Sequence, residues 1–134
     1  MLNKTAGGAA DRRIEAYNAA INALLVFYAP DVVCHPAPGW VGDELCYGHD
    51  GIRMLSAVGA QGVSEPTIAV DSVRDLNERM LVLARLTGRD PVSGARVEQQ
   101  FALLNSDLRE DLRVGEVHFF LGWDEGLAAA GLVN

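Results

Sequence analysis

Two cysteines, Cys34 and Cys46, are the only ones in the sequence. That is too few for a disulfide framework, and it predicts reduced thiols in a cytoplasmic protein. Basic clusters are missing too, since no Lys/Arg run exceeds the pair Arg12-Arg13. With 11 basic against 18 acidic side chains, the net charge is −7. Nucleic acid is bound largely by neutralising phosphates, so this balance argues against it, and against an anionic membrane surface as well. No apolar run approaches the length that crosses a bilayer. Residues 1–10 carry one Lys and no apolar segment of the signal-peptide kind. Internal repeats are absent, as are a Gly-rich phosphate loop, a Ser-centred elbow and a Walker pattern.

What remains is an ordinary globular composition, 49% hydrophobic and 22% charged over 134 residues. That length suits one domain, which can bury a core without disulfides or metal. Residues 1–10 are Gly/Ala-rich and are expected to be a flexible N-terminus, with 11–134 forming a single domain.

The pattern then divides the chain. Ile14, Tyr17, Ile21, Leu24, Leu25 and Tyr28 fall on one helical stripe, which predicts a helix over 11–29. Asp11 is its expected cap and Pro30 its expected stop. A short strand over 31–35 is bounded by Pro36 and Pro38, and a loop over 37–48 follows. A short helix comes next, with Asp50 near its start, Ile52, Leu55 and Val58 on one face, and Gly59 after it. From Pro66 the period changes to two, which predicts strands over 67–75, 79–88, 95–105 and 112–122 with turn-like breaks between them. Asp124 is expected to cap a last helical turn through Leu127, ended by Gly131.

The strand faces carry more information. In the third long strand, Val97, Gln99, Phe101 and Leu103 form the more apolar face, which should point inward with Gln99 as its lone polar member. In the last strand, Val117, Phe119 and Leu121 alternate with Glu116, His118 and Phe120. A sheet apolar on both faces must be covered on both. Helices can cover one, and a second subunit is the simplest cover for the other. The expectation is an α+β fold, with helices closing a curved antiparallel sheet around a pocket, and a homodimer through the outer sheet face near His118 and Phe120.

Several segments resemble the NTF2-like superfamily of cone-shaped domains, in its SnoaL-like and ketosteroid isomerase-like branch. Ala29-Pro30-Asp31-Val32-Val33 is similar to its step from the first helices into the first strand. Gly48-His49-Asp50-Gly51-Ile52-Arg53 is similar to the opening of its third helix, and Gly126-Leu127-Ala128-Ala129-Ala130-Gly131-Leu132 to the SnoaL-like ending. The resemblance implies a cone with three or so helices around a pocket. It also implies three site positions, by comparison with ketosteroid isomerases: a Tyr on the first helix, a base before a Pro, and an acid on an inner strand. Here these are Tyr17, His35 before Pro36, and Gln99, with Gln in place of the acid. Limonene epoxide hydrolase needs an Arg between two Asp residues. Arg85 matches the Arg, but Thr87 and Phe119 stand where the acids belong, so epoxide hydrolysis is disfavoured.

Read as chemistry, His35 has the side chain suited to shuttling protons near neutral pH, against the plainer reading of a hydrogen-bonded structural histidine. Tyr17 could polarise a carbonyl or belong to the core. Gln99 needs partners that a ligand, a side chain or water could supply. Arg85 would pair with a carboxylate or meet a ligand. Trp40 and Tyr47 are expected at the pocket lip, with Thr87, Phe101, Val117 and Phe119 lining it. The set Cys34, His35, Cys46 and His49 hints at zinc, but these residues lie on different elements, so no metal and no cofactor are expected. The leading expectation is proton abstraction beside a carbonyl, of isomerase or cyclase type, on a small apolar substrate. The rival is a non-catalytic ligand-binding or dimeric scaffold protein.

Overall fold

In a computed structural model, residues 15–40 and 44–132 are described. The flexible opening expected over 1–10, the cap Asp11 and Ile14 lie outside them. Residues 15–24 are helical (α1) and run into a single 3-10 turn, Leu25–Phe27. Strand β1 (Tyr28–His35) follows directly, then β2 (Cys46–Tyr47), α2 (Gly48–Gly59), β3 (Ser64–Asp75), β4 (Met80–Arg89), β5 (Arg96–Leu108), β6 (Val114–Phe120) and α3 (Trp123–Ala129). None of the described helices is long and apolar enough to cross a membrane.

The first helix therefore ends before Pro30, which lies inside β1. A proline has no N–H to give a ladder and is tolerated in strands at edges or bulges. The pairing of β1 with β6 shifts register between Tyr28 and Val33, around Pro30. The helical stripe continued past the true boundary because Leu25 and Tyr28 are buried in either conformation. Gly48 opens α2 at φ 71°, the left-handed region, and a Cβ there would lie 3.1 Å from the Pro30 carbonyl oxygen. Glycine is the residue that meets both demands.

The six strands make one curved, unclosed sheet in the order β2-β1-β6-β5-β4-β3. It is mixed and not antiparallel throughout, because β1 runs parallel to β6. The crossover between them is the whole β2–β5 stretch, which lets the first and last long strands meet at the middle of the sheet.

Strand alternation assigns the two faces. On the concave face, Val32 and Cys34 of β1 and Val117 of β6 pack with Ile52 and Leu55 of α2, and Leu86 packs with Tyr17 and Ile21 of α1. On the convex face, Leu81, Leu83, Ala102 and Leu104 are buried under Leu127 of α3 and Ala130 just past its end, with Phe120 and Trp123 alongside. Thus α3 covers much of the face that was expected to need a second subunit. Phe120 packs within its own chain, and the rest of that face is polar around His35, Glu116 and His118. The close seat of α3 depends on Gly126, where a Cβ would lie 2.5 Å from that of Ala102. Cys34 and Cys46 stand opposite each other on β1 and β2, and both thiols are free.

Candidate functional site

The concave face holds a cavity of about 340 Å³, beside a smaller space of about 80 Å³. Ser56, Ile68, Phe101 and Phe119 line both, so the two are neighbouring parts of one hollow. Its walls come from α1, α2 and the inward side chains of β3–β6, including Ile52, Val82, Leu103 and Phe119. The curvature of the sheet makes the hollow and the two helices roof part of it. Among the described residues, none of the side chains lining either space is Asp, Glu, His, Lys or Arg.

Besides Ser56, which lines both spaces, polar groups occur at two places. In the larger space the buried Tyr28 hydroxyl donates to Asn105 Oδ1 at 2.9 Å. Asn105 is the one buried polar residue of the core among the described residues. Burial pushes the Tyr28 phenol up to about 12, although the Asn105 bond works in the opposite direction. In the smaller space Tyr17 and Gln99 both contribute to the lining, with Trp40 tilted against Phe119 at 6.3 Å between ring centroids. The Tyr17 hydroxyl donates to the Ser56 carbonyl at 2.8 Å, and burial raises its pKa as well.

Of the residues singled out in the sequence, Tyr17, Trp40, Gln99, Phe101 and Phe119 meet in this hollow. Val117 lies fully buried on the same sheet face, in the core beneath α2. Tyr47 is exposed and lies away from the cavity walls.

Three expected pocket residues stand on the opposite face. His35 is the neighbour in sequence of inward-facing Cys34, so alternation turns it outward, where its ring stacks on His118 and its Nε2 lies 2.9 Å from Glu116 Oε2. It is therefore not within reach of a ligand in the cavity. Arg85 and Thr87 alternate with inward Ala84 and Leu86. Arg85 pairs with Asp71 at 3.0 Å and Glu98 at 3.3 Å and lies over the Trp123 ring, while Thr87 Oγ1 is directed to the Thr67 carbonyl. The expected convergence of Tyr17, His35 and Gln99 is thus reduced to Tyr17 and Gln99.

Tyr28 and Asn105 were missed as site residues. Tyr28 fell on the helical stripe and Asn105 on the last position of the strand expected over 95–105. The signal for Asn105 was nonetheless available, because it continues the inward series Gln99, Phe101, Leu103 by one more step of two.

No family model matches the chain, and no curated protein matches it. Solved structures do. A SnoaL-like protein assigned to the polyketide cyclases, from Jannaschia sp. CCS1, is 20% identical with a TM-score of 0.56, over 75% of this chain and 70% of that one. A protein from Catenulispora acidiphila with a ketosteroid isomerase-like fold, in complex with trimethylamine, is 15% identical with a TM-score of 0.57, over 90% and 93% of the two chains. TerC, co-crystallised with polyporic acid, is 17% identical with a TM-score of 0.59, over 90% and 95%. These likenesses and the topology above agree, and the chain has the fold of proteins described as NTF2-like, SnoaL-like and ketosteroid isomerase-like.

Proposed function

We propose that this chain binds a small, mainly apolar molecule carrying a hydroxyl or carbonyl group on the concave face of its sheet. The observation that carries this reading is the wall itself: apolar nearly throughout, without an ionisable carboxylate, imidazole, amine or guanidinium among its described residues, yet holding the Tyr28–Asn105 pair. Pockets for apolar ligands are built in this way, with few polar groups to fix orientation. Tyr17 and Gln99 would offer a second polar contact at the other end of the hollow.

Proton abstraction beside a carbonyl, the chemistry that the resemblance suggested, needs an acceptor close to the substrate. Tyr28 and Tyr17 both have raised pKa values and are poor acceptors. Binding is therefore the better supported reading, and isomerase- or cyclase-type turnover is the second. A homodimer fits the same reading. What supports it is an apolar rim at the cavity mouth, where Phe27 is 62% and Leu112 74% exposed, beside Val70 and Val73. A second copy capping that rim would keep it from water. The reading also keeps the chain in the cytoplasm, which the two free thiols favour.

Trp40 lines the hollow and Trp123 lies on the other face, so Trp123→Phe leaves an emission signal that reports on the cavity alone. A panel of small cyclic ketones, enones and phenols should quench it saturably. Leu103→Phe, which fills part of the larger space without adding a second indole emitter, should weaken the response. Quenching left unchanged by Leu103→Phe would place the ligand elsewhere. Any turnover found with a bound ketone should survive His35→Ala, because that side chain is on the far face.

A further inference from the structure

The convex face carries a cluster that the cavity does not explain. β1 and β6 are parallel neighbours, and His35 is the register partner of His118. Glu116 precedes His118 by two residues and shares its face. The His35 and His118 rings stack at 3.8 Å between centroids and 6° between planes. Glu116 Oε2 lies 2.9 Å from His35 Nε2. One ligand atom from each of the three residues falls within 4.8 Å of the others. Behind them Ser106, the register partner of Glu116 on β5, directs its Oγ to Glu116 Oε1 at 3.4 Å.

We propose that His35, Glu116 and His118 form a site for one divalent transition-metal ion. Two imidazoles and one carboxylate suit zinc, cobalt, nickel or copper, whereas magnesium and calcium take oxygen ligands throughout. Three protein ligands leave coordination positions for water or an exogenous anion, and the side chains of His35 and Glu116 are 27% and 39% exposed, so those positions open to solvent. The backbone of the site is stiff, because all three ligands project from hydrogen-bonded strands. Ser106 supplies the outer hydrogen bond that holds a ligating carboxylate in orientation. The 2.9 Å contact between His35 Nε2 and Glu116 Oε2 lies where the ion would sit. Binding releases it and opens the parallel rings, so that their in-plane lone pairs converge on one point. The donors come from positions up to 83 residues apart and meet only because β1 and β6 pair, so their spacing in the chain gives no ligand motif. Because the cluster faces away from the cavity, the proposal stands apart from the ligand reading.

The test uses the full chain, stripped with chelator and titrated with Zn²⁺ by calorimetry and with Co²⁺ by visible absorption at neutral pH. The expected result is one ion per chain. His35→Ala and His118→Ala should each weaken binding more than tenfold, and Ser106→Ala should weaken it by about tenfold, at the lower end for an outer-shell change. The Cys46→Ser and His49→Ala variants should bind as the parent does. Imidazole ¹H–¹⁵N spectra of the unaltered protein need no variant to fold. Of the 3 histidines, His35 and His118 should shift on adding Zn²⁺ while His49 stays. Absence of saturable binding would overturn the proposal. So would binding that survives loss of both His35 and His118, or a shift confined to His49.

Discussion

Tyr28→Phe removes one oxygen from the cavity wall, and the cost can be worked from its surroundings. Tyr28 is 7% and Asn105 6% exposed, and the hydroxyl donates to Asn105 Oδ1 at 2.9 Å. The variant keeps the ring and its packing but leaves the amide oxygen without that donor, a loss of about 1–3 kcal/mol for a buried group. Asn105→Leu leaves the phenol without its acceptor and should cost a similar amount. The two changes together replace a polar pair by an apolar one of comparable shape, which can be nearly neutral. The double variant should therefore be less destabilised than the sum of the singles, by at least about 1 kcal/mol in a double-mutant cycle. Urea unfolding reads this as a shift in midpoint at constant slope. The same residue sets an alkaline dependence. Burial pushes the folded phenol up to about 12 from the ordinary value of 10.0, so its stabilising contribution is complete below pH 10 and is lost as pH rises through that range. That loss is about 2–3 kcal/mol, from two units of displacement. Tyr28→Phe should flatten this fall, with Tyr17 and Cys34 keeping a part of it because burial raises them too. Singles that add within about 0.5 kcal/mol would refute the reasoning, since water would then be satisfying Asn105 through the cavity.

Cys34 is fully buried and its thiol is pushed up to about 12, mainly by burial and then by Cys46 nearby. In the native protein at mildly alkaline pH, iodoacetamide should modify the half-buried Cys46 slowly and leave Cys34 untouched until denaturant is added, as read by peptide mass spectrometry. Equal labelling of both would mean that β2 does not shield β1. Gly126→Ala should gain about 0.5–1 kcal/mol if helix propensity alone ruled. The 2.5 Å approach to the Cβ of Ala102 predicts instead a loss of about 1–3 kcal/mol as α3 is pushed off the sheet, and a measured gain in the urea midpoint would refute that contact.

The sequence was most legible where one period ran unbroken. The change from 3.6 to 2 located β3 to β6, and alternation along β5 assigned Phe101 and Leu103 to the concave face and Glu98 and Gln100 to the convex one. It was least legible around Pro30. There, apolar spacing that suits a helix also suits a buried turn and strand, and only the bulge against β6 explains why a proline is tolerated. That boundary decided the site. Counting His35 as the residue at the end of a strand is not enough to know its face, and the face follows from Val32 and Cys34 being the inward members of β1.

The same parity explains why a likeness in local motif did not carry over the position of the histidine. The histidine before Pro36 occupies the sequence place of a base, but one residue of phase in a strand moves a side chain from one face of a sheet to the other. Once His35 is outward, β6 brings His118 beside it and Glu116 within hydrogen-bonding distance, and the histidine expected inside the cavity joins a cluster on its far side. What stays inside is neutral, the Tyr28–Asn105 pair at one end and Tyr17 and Gln99 at the other, in a mainly apolar wall. In this chain the fold separates a hollow suited to binding from a cluster suited to a metal ion, across the thickness of a single sheet.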